Sequence, residues 1–389
     1  MASPQWHPTK LDEIGFVGRG KSRHRPRNAA FLYGGRYPFF QTGDIKAANF
    51  YLTEYSQTYS EEGLAQSKLW KPGTLCITIA ANIAESAILG IEGCFPDSVV
   101  GFIADPTKAD VRFIKYYLEI LKLRMQNISH GATQDNLSLD KLLSFDFLVP
   151  PLPIQRRIAG ILSAYDELIE NSQRRIKILE AMARALYREW FVHFRFPGHE
   201  SVPRVKSPMG EIPKGWEVGR LDDVLVLQRG FDLPKASRIE GTVPIIAATG
   251  ITGFHNEARA KAPGVVTGRS GTIGEVLYVQ EDFWPLNTSL WVKEFPNSEP
   301  LYAFYLLSSL DLKQFNSGAA VPTLNRNDIH GTNVVVPPRS IQKRFQDFTG
   351  SMLAKSRTLD QQIQNLRRTR DLLLPRLLSG QINVETIGL

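Results

Sequence analysis

Residues 130–162 read HGATQDNLSLDKLLSFDFLVPPLPIQRRIAGIL, and residues 317–349 read SGAAVPTLNRNDIHGTNVVVPPRSIQKRFQDFT. A constant offset of 187 lays the first on the second without a gap. Gly131 falls on Gly318, Leu137 on Leu324, Val149-Pro150-Pro151 on Val336-Pro337-Pro338, Ile154-Gln155 on Ile341-Gln342, and Arg157 on Arg344. The match runs on through Ile176/Ile363, Leu179/Leu366 and Leu186/Leu373. A repeat of this length means two copies of one structural unit, and missing it would misassign the whole fold.

Both repeated segments carry helical spacing. After the helix-limiting prolines 150, 151 and 153, apolar residues recur every three or four positions: Ile154, Ile158, Ile161, Tyr165 and Leu168, then Ile176, Leu179, Ala183, Leu186 and Trp190. The second copy runs Ile341, Phe345, Phe348, Met352, then Leu359, Ile363, Leu366, Leu373 and Leu377, with Pro375 and Gly380 marking its end. Narrow apolar stripes on otherwise charged helices are coiled-coil seams. Two copies of one seam in one chain predict an intramolecular antiparallel pair, with a homodimeric coiled coil as the alternative.

A weaker echo opens each half. LDEIGFVGRG from Leu11 resembles LDDVLVLQRG from Leu221, sharing Arg19-Gly20 with Arg229-Gly230. Between echo and repeat the halves diverge into short β-type runs (TLCITIA, PGVVTG, EVLYVQ, SLWVKE) and helical patches (DVRFIKYYLEILKL, EPLYAFYLLSSL). The expected fold is α+β: two mixed domains joined by two long antiparallel helices in a pseudo-twofold repeat. The segments are domain one at 1–150, a central helix at 151–195, domain two at 196–337 and a C-terminal helix at 338–389. PRVKSPMGEIPKGWEVG (203–219), rich in Pro and Gly, reads as a linker.

The chain of 389 residues has net charge +7 and pI near 9.3, which invites a polyanionic partner. The two large blocks are nearly neutral, at +1 for 1–150 and −1 for 201–337, so nucleic-acid contact there must come from local patches. Cys76 and Cys94 lack the spacing of a zinc site and read as reduced, mostly buried thiols. No apolar run reaches membrane-spanning length and the N-terminus lacks a signal-peptide core, so the expected location is cytoplasmic.

GFVGRGKS (15–22) satisfies the P-loop pattern literally. Its own duplicate argues against nucleotide binding, because Gly15, Lys21 and Ser22 align with Leu225, Phe231 and Asp232. Pro26 and a crowd of like charges also make a poor helix start after it. VVGFIAD, ending at Asp105, imitates a Walker B strand only cheaply. The tripeptides at 149 and 336 lack the polar residue and aromatic of the (Asn/Asp)-Pro-Pro-aromatic motif of amino-methyltransferases. No nuclease carboxylate set, metalloprotease motif or triad signature stands out, so the chain reads as non-catalytic.

Arg19, Lys21, Arg23, His24, Arg25 and Arg27 instead form a basic loop suited to DNA phosphates or guanine edges. Gln41, Thr42, Gln134 and Asn136 add groups of the right chemistry in the first block. Arg229, Lys235, Arg238, His255, Asn256, Arg259, Arg269 and Asn287 do so in the second.

The whole arrangement resembles the specificity (S) subunit of type I restriction–modification enzymes along essentially the full chain. The resemblance rests on the repeated VPPLPIQRRIAGIL and VPPRSIQKRFQDF with their long helices, GEIPKGWEVGRLDDV, YPFFQTGDI and the ending LLLPRLLSGQI. It implies two target recognition domains, each reading half of a bipartite site in double-stranded DNA, on a helix pair that sets the spacer. It implies two modification (methyltransferase) subunits and restriction subunits as partners. S-adenosylmethionine, ATP and Mg would belong to those partners, and this chain would bind no cofactor. The readings from other classes are a P-loop-type nucleotide hydrolase or nuclease and a coiled-coil protein-binding scaffold.

Overall fold

The computed structural model describes residues 6–130, 137–318 and 320–386. The chain divides into two compact units, Met1–Arg174 with Asp360–Leu389, and Arg175–Leu359. Each unit therefore holds one variable block and one portion of both long helices.

In the first unit a five-stranded sheet runs in the order Gly15–Arg19, Val99–Ala104, Leu75–Thr78, Ser86–Leu89, Tyr51–Leu52. A four-stranded sheet, Gln57–Tyr59, Tyr33–Phe39, Gly93–Cys94, Leu69–Trp70, lies within the same unit. The buried central strands are short and all apolar or small, as in LCIT and SAIL, because both faces are covered. Helix Val111–His130 buries Phe113, Ile114, Tyr117, Leu118 and Leu121 against the sheet residues Leu75, Ile77 and Phe102.

The second unit repeats this plan with fewer strands. Val226–Arg229, Ser289–Glu294, Gly264–Gly268 and Val276–Val279 form its larger sheet, and Gly250–His255, Val243–Ala247 and Trp284–Pro285 its smaller one. Helix Pro300–Ser309 takes the place of Val111–His130. Each unit is closed by a two-stranded pair before the long helix: His7–Thr9 with Phe147–Val149, and Glu217–Arg220 with Asn333–Val336.

The long helices are Leu152–Tyr187, continued by a π turn Arg188–Val192, and Arg339–Leu378. At about 1.5 Å per residue they are roughly 54 and 60 Å long. Inside the first unit Ile158 and Leu162 share a core with Leu377 and Leu378. Further along, Asp166 pairs with Arg370. One number rises as the other falls, so the helices are antiparallel. The second unit agrees: Trp190 and Tyr187 pack on Phe345, with ring centroids 6.0 and 6.1 Å apart. The pair is intramolecular in both units, which supplies the partner that the homodimer alternative required.

The seam itself corrects the sequence-based spacing. One set of buried and half-buried positions follows a strict three-four alternation: Gln155, Ile158, Leu162, Tyr165, Ile169, Ser172, Ile176, Leu179, Ala183, Leu186, Trp190. The second helix matches it at Gln342, Phe345, Thr349, Met352, Ser356, Leu359, Ile363, Leu366, Arg370, Leu373, Leu377. Leu168 and Phe348, expected on the seam, are more than half exposed at 55% and 53%. Ile169 and Thr349 hold those places. Ile161 is half-buried beside the seam, with Leu162 on it.

Two further expectations change. Pro375 does not end the second helix; it sits inside the last turn, and Gly380 at φ +72° follows two residues beyond the end. The supposed linker 203–219 is ordered as a hairpin, Arg204–Ser207 with Gly210–Pro213, followed by buried Trp216 stacked on Phe196 (5.3 Å). Its glycines serve positive-φ turns at Gly210 and Gly215.

The repeated Gln explains the repeated motif. Gln155 Nε2 donates to the carbonyls of Pro150 (2.9 Å) and Lys108 (2.9 Å), and its Oε1 accepts from Asp110 N–H (3.0 Å). Gln342 does the same with Pro337 (2.9 Å), Asn297 (3.1 Å) and Glu299 N–H (2.9 Å). Each buried amide ties the loop entering the domain helix to the first turn of a long helix.

Candidate nucleic-acid interface

Strand Gly15–Arg19 delivers the chain to Gly20, whose N–H donates to Val99 O (2.8 Å) while Lys21 N–H reaches Phe95 O (3.1 Å). A Cβ at Gly20 would lie 2.3 Å from the carbonyl oxygens of Phe95 and Pro96. Gly230 repeats the contact: its N–H donates to Ser289 O (3.1 Å), and a Cβ would lie 2.2 Å from Leu286 O. The shared Arg-Gly is thus a place where one backbone presses on another.

The loop after Gly20 is not a phosphate cradle of the P-loop kind. Residues 20–29 form no helix, and the Ser22 hydroxyl is buried 3.4 Å from Tyr59 Oη. Arg23 and His24 N–H groups both donate to Gln66 Oε1, at 2.5 and 3.0 Å, fixing the loop's path. Arg25 donates to the carbonyls of Ser22 (2.7 Å) and His24 (2.8 Å).

Asp97 governs the loop's charge. Arg27 donates to both its carboxylate oxygens at 2.9 Å, Arg25 lies 4.0 Å away, and Arg19 Nε donates to its carbonyl at 3.0 Å. Lys21 and Arg23 are exposed and make no ion pair among the described residues. The loop therefore presents two free cations and two partly neutralised ones. Phe31, 56% exposed, stands against the His24 ring at 5.0 Å. Gln41 starts a separate short helix, Thr42–Ala47, and donates to Gln57 Oε1 (2.6 Å). Gln134 and Asn136 lie outside the described residues.

In the second unit Arg229 approaches Asp232 (3.4 Å), Asn287 donates to the same carboxylate, and Arg269 reaches Asn287 O (3.4 Å). These four residues are one polar network. Lys235 is exposed on the turn Lys235–Ser237. Arg238 donates to Thr252 O (3.3 Å) on a hairpin that exposes Ile251 and Phe254. Asn256 is exposed, and Arg259 lies over the Trp284 ring at 5.1 Å.

His255 is the expected contact that the fold removes from the surface. It is buried at 5% exposure, accepts Ile239 N–H at Nδ1 (3.1 Å) and packs edge-on against Trp284. A ring enclosed in this way cannot reach a base. The sequence reading also missed Asp97, Gln66, Phe31, Ile251 and Phe254. Only the exposed apolar residues left a trace in the sequence, and it was indistinguishable from core strand pattern.

Among the described residues no three or more His, Cys, Asp or Glu side chains converge to hold a metal ion, and no helix is long and apolar enough to cross a membrane. Each unit instead exposes a mixed set of cationic and amide side chains, Lys21 and Arg23 in the first and Lys235 and Asn256 in the second.

A family model described as "Type I restriction modification DNA specificity domain" matches residues 4–181 and again 213–366. The type I restriction enzyme MjaIX specificity subunit of Methanocaldococcus jannaschii is 26% identical over 420 residues, covering 98% of this chain and 94% of that one. The HindI specificity subunit of Haemophilus influenzae is 23% identical over 465 residues, covering 95% and 98%. The crystal structure of a type I restriction–modification S subunit from M. genitalium superposes with TM-score 0.66 at 18% identity, covering 97% of each chain. With the domain model matched twice over most of its length, this chain belongs to the type I restriction–modification DNA specificity family, as a specificity subunit and not a catalytic one.

Proposed function

We propose that each unit reads one half of a bipartite site in double-stranded DNA, and that the antiparallel helix pair sets the unread spacer. The observation that supports this most directly is equivalence of place with difference of chemistry. The Arg-Gly contacts at Gly20 and Gly230 are the same backbone device, yet the residues that follow them, KSRHRPR at 21–27 and FDLPKAS at 231–237, match at no position. Two unlike surfaces on one duplicated frame give an asymmetric site. In the first unit Lys21 and Arg23 neutralise phosphate, with Arg19, Arg25 and Arg27 shaping the loop. In the second, Arg229, Arg269 and Asn287 form one contact group, and Lys235, Arg238, Asn256 and Arg259 another.

The helix pair also docks two modification subunits, which bring S-adenosylmethionine and methylate adenine, and restriction subunits that use ATP and Mg to translocate and cleave. The chain itself binds none of these cofactors and works in the cytoplasm, where its DNA is. Methylome sequencing of a host with and without this chain tests the reading. A bipartite adenine-methylation motif should vanish on deletion; an unchanged methylome refutes it.

A further inference from the structure

Duplication gives the two long helices the same seam frame, so each helix carries a surface suited to its own copy in another chain. Something must make the first helix choose the second. The seam positions are uncharged but for Arg370 in the first unit, and Asp166 flanks the seam there, next to Tyr165. Asp166 and Arg370 form an ion pair there with side chains only 12% and 26% exposed. Tyr116, from the domain helix Val111–His130, donates its hydroxyl to the other Asp166 oxygen at 2.5 Å. Burial, and then the Asp166 charge, push the Tyr116 pKa far up, so the hydroxyl stays a donor. Arg370 also reaches Asp371 at 2.8 Å.

The repeat offset of 187 places Leu353 opposite Asp166 in the frame and Ala183 opposite Arg370. The second unit therefore has an apolar pair where the first has charges. If two first helices met antiparallel, Asp166 of each would face Ala183 of the other. If two second helices met, Arg370 would face Leu353. Two first helices would leave Asp166 without its cation, and two second helices would leave Arg370 with only Asp371 of its own helix; stranding one member of a half-buried pair costs more than removing the pair altogether. Size opposes the exchange less. It would set Ile158 against Trp190 and Phe345 against Leu377, mixed layers that remain apolar throughout.

We propose that Asp166 and Arg370, held by Tyr116, are the identity key by which the first long helix takes the second helix of its own chain and refuses a copy of itself. A single charged contact at an otherwise uncharged seam can specify partner and register, as one buried polar residue does in a coiled coil. If the two units read different half-sites, as proposed above, these positioning residues also fix which two are combined. The key itself needs no DNA to be tested.

The full-length chain is refolded from denaturant at about 10 to 500 µM, below the roughly millimolar effective concentration of a tethered partner, and its mass is read by light scattering. Wild type should be monomeric throughout. Asp166→Leu with Arg370→Ala, which gives the first unit the residues of the second, should fold and show a concentration-dependent dimer fraction at least about tenfold above wild type. Asp166→Asn with Arg370→Gln, which removes charge and keeps shape, is the second arm. A dimeric wild type, or monomers throughout in every double variant that folds, overturns the proposal. So does loss of folding in both, since the pair would then serve stability and not choice.

Discussion

Replacing Gln155 by Leu, and separately Gln342 by Leu, puts a number on the duplicated tie between helix and domain. Each amide is essentially unexposed and makes the same three hydrogen bonds, to a proline carbonyl, a loop carbonyl and a loop N–H. Leucine fills similar volume but strands all three partners. A buried group left unsatisfied costs roughly 1–3 kcal/mol, and less where water can reach it. Of the three, the proline carbonyl is the best enclosed and the two loop groups are part-buried, so the sum is about 2–4 kcal/mol for each variant. In a unit of this size that lowers the melting temperature by roughly 5–15 °C. Because the two sets match bond for bond, the costs should agree within about 1 kcal/mol. Urea denaturation gives the stabilities, and hydrogen exchange gives the location. Gln155→Leu should deprotect residues 108–116 and leave 297–303 unchanged, and Gln342→Leu the reverse. A cost below about 1 kcal/mol for either, or exchange that rises around the unmutated glutamine, would refute the equivalence.

Three other perturbations test the site and its supports. Gly20→Ala and Gly230→Ala should each cost about 2–3 kcal/mol by overpacking, since the new Cβ meets backbone oxygens at 2.3 and 2.2 Å; Gly160→Ala, with nothing within 4 Å, is the neutral-to-stabilising control. Lys21→Ala and Arg23→Ala, assayed in the assembled complex on duplex DNA, should each reduce the salt slope of binding by about 1. Arg27→Ala should reduce it less, and Asp97→Asn should tighten binding and steepen the slope, because Asp97 already neutralises Arg27; no change for Asp97→Asn would remove this loop from the interface. His330 is held neutral, accepting Leu227 N–H at Nε2 (2.9 Å), and burial lowers its pKa below the ordinary value of 6.5. Its contribution is therefore present above pH 6.5 and lost as pH falls toward the lowered folded value, where the unfolded chain already binds the proton. The urea midpoint of the second unit should drop between pH 7.5 and 5.5, and His330→Gln should flatten that drop.

The duplicated frame was legible because its two copies answer the same backbone problem with the same residues: prolines before the helix, a buried glutamine in its first turn, a glycine where chain presses on chain. The seam was legible in existence but not in frame. Ile161-Leu162 and Leu168-Ile169 are adjacent apolar pairs, so hydrophobicity alone fits either member. The positions that fix the choice are polar ones, Gln155, Ser172, Gln342, Thr349 and Arg370, and a search for apolar periodicity passes over them. The interface was the least legible, for a related reason. A run of five basic residues looks uniformly available until Asp97, distant in sequence, is found to hold Arg27 and sit beside Arg25. His255 looks like a reader until Trp284 encloses it. In each case the deciding partner lies outside the window in which the motif is read. A local pattern in this chain therefore shows which residue types the candidate surface can draw on, and long-range pairing decides which of them remain free of partners within the fold.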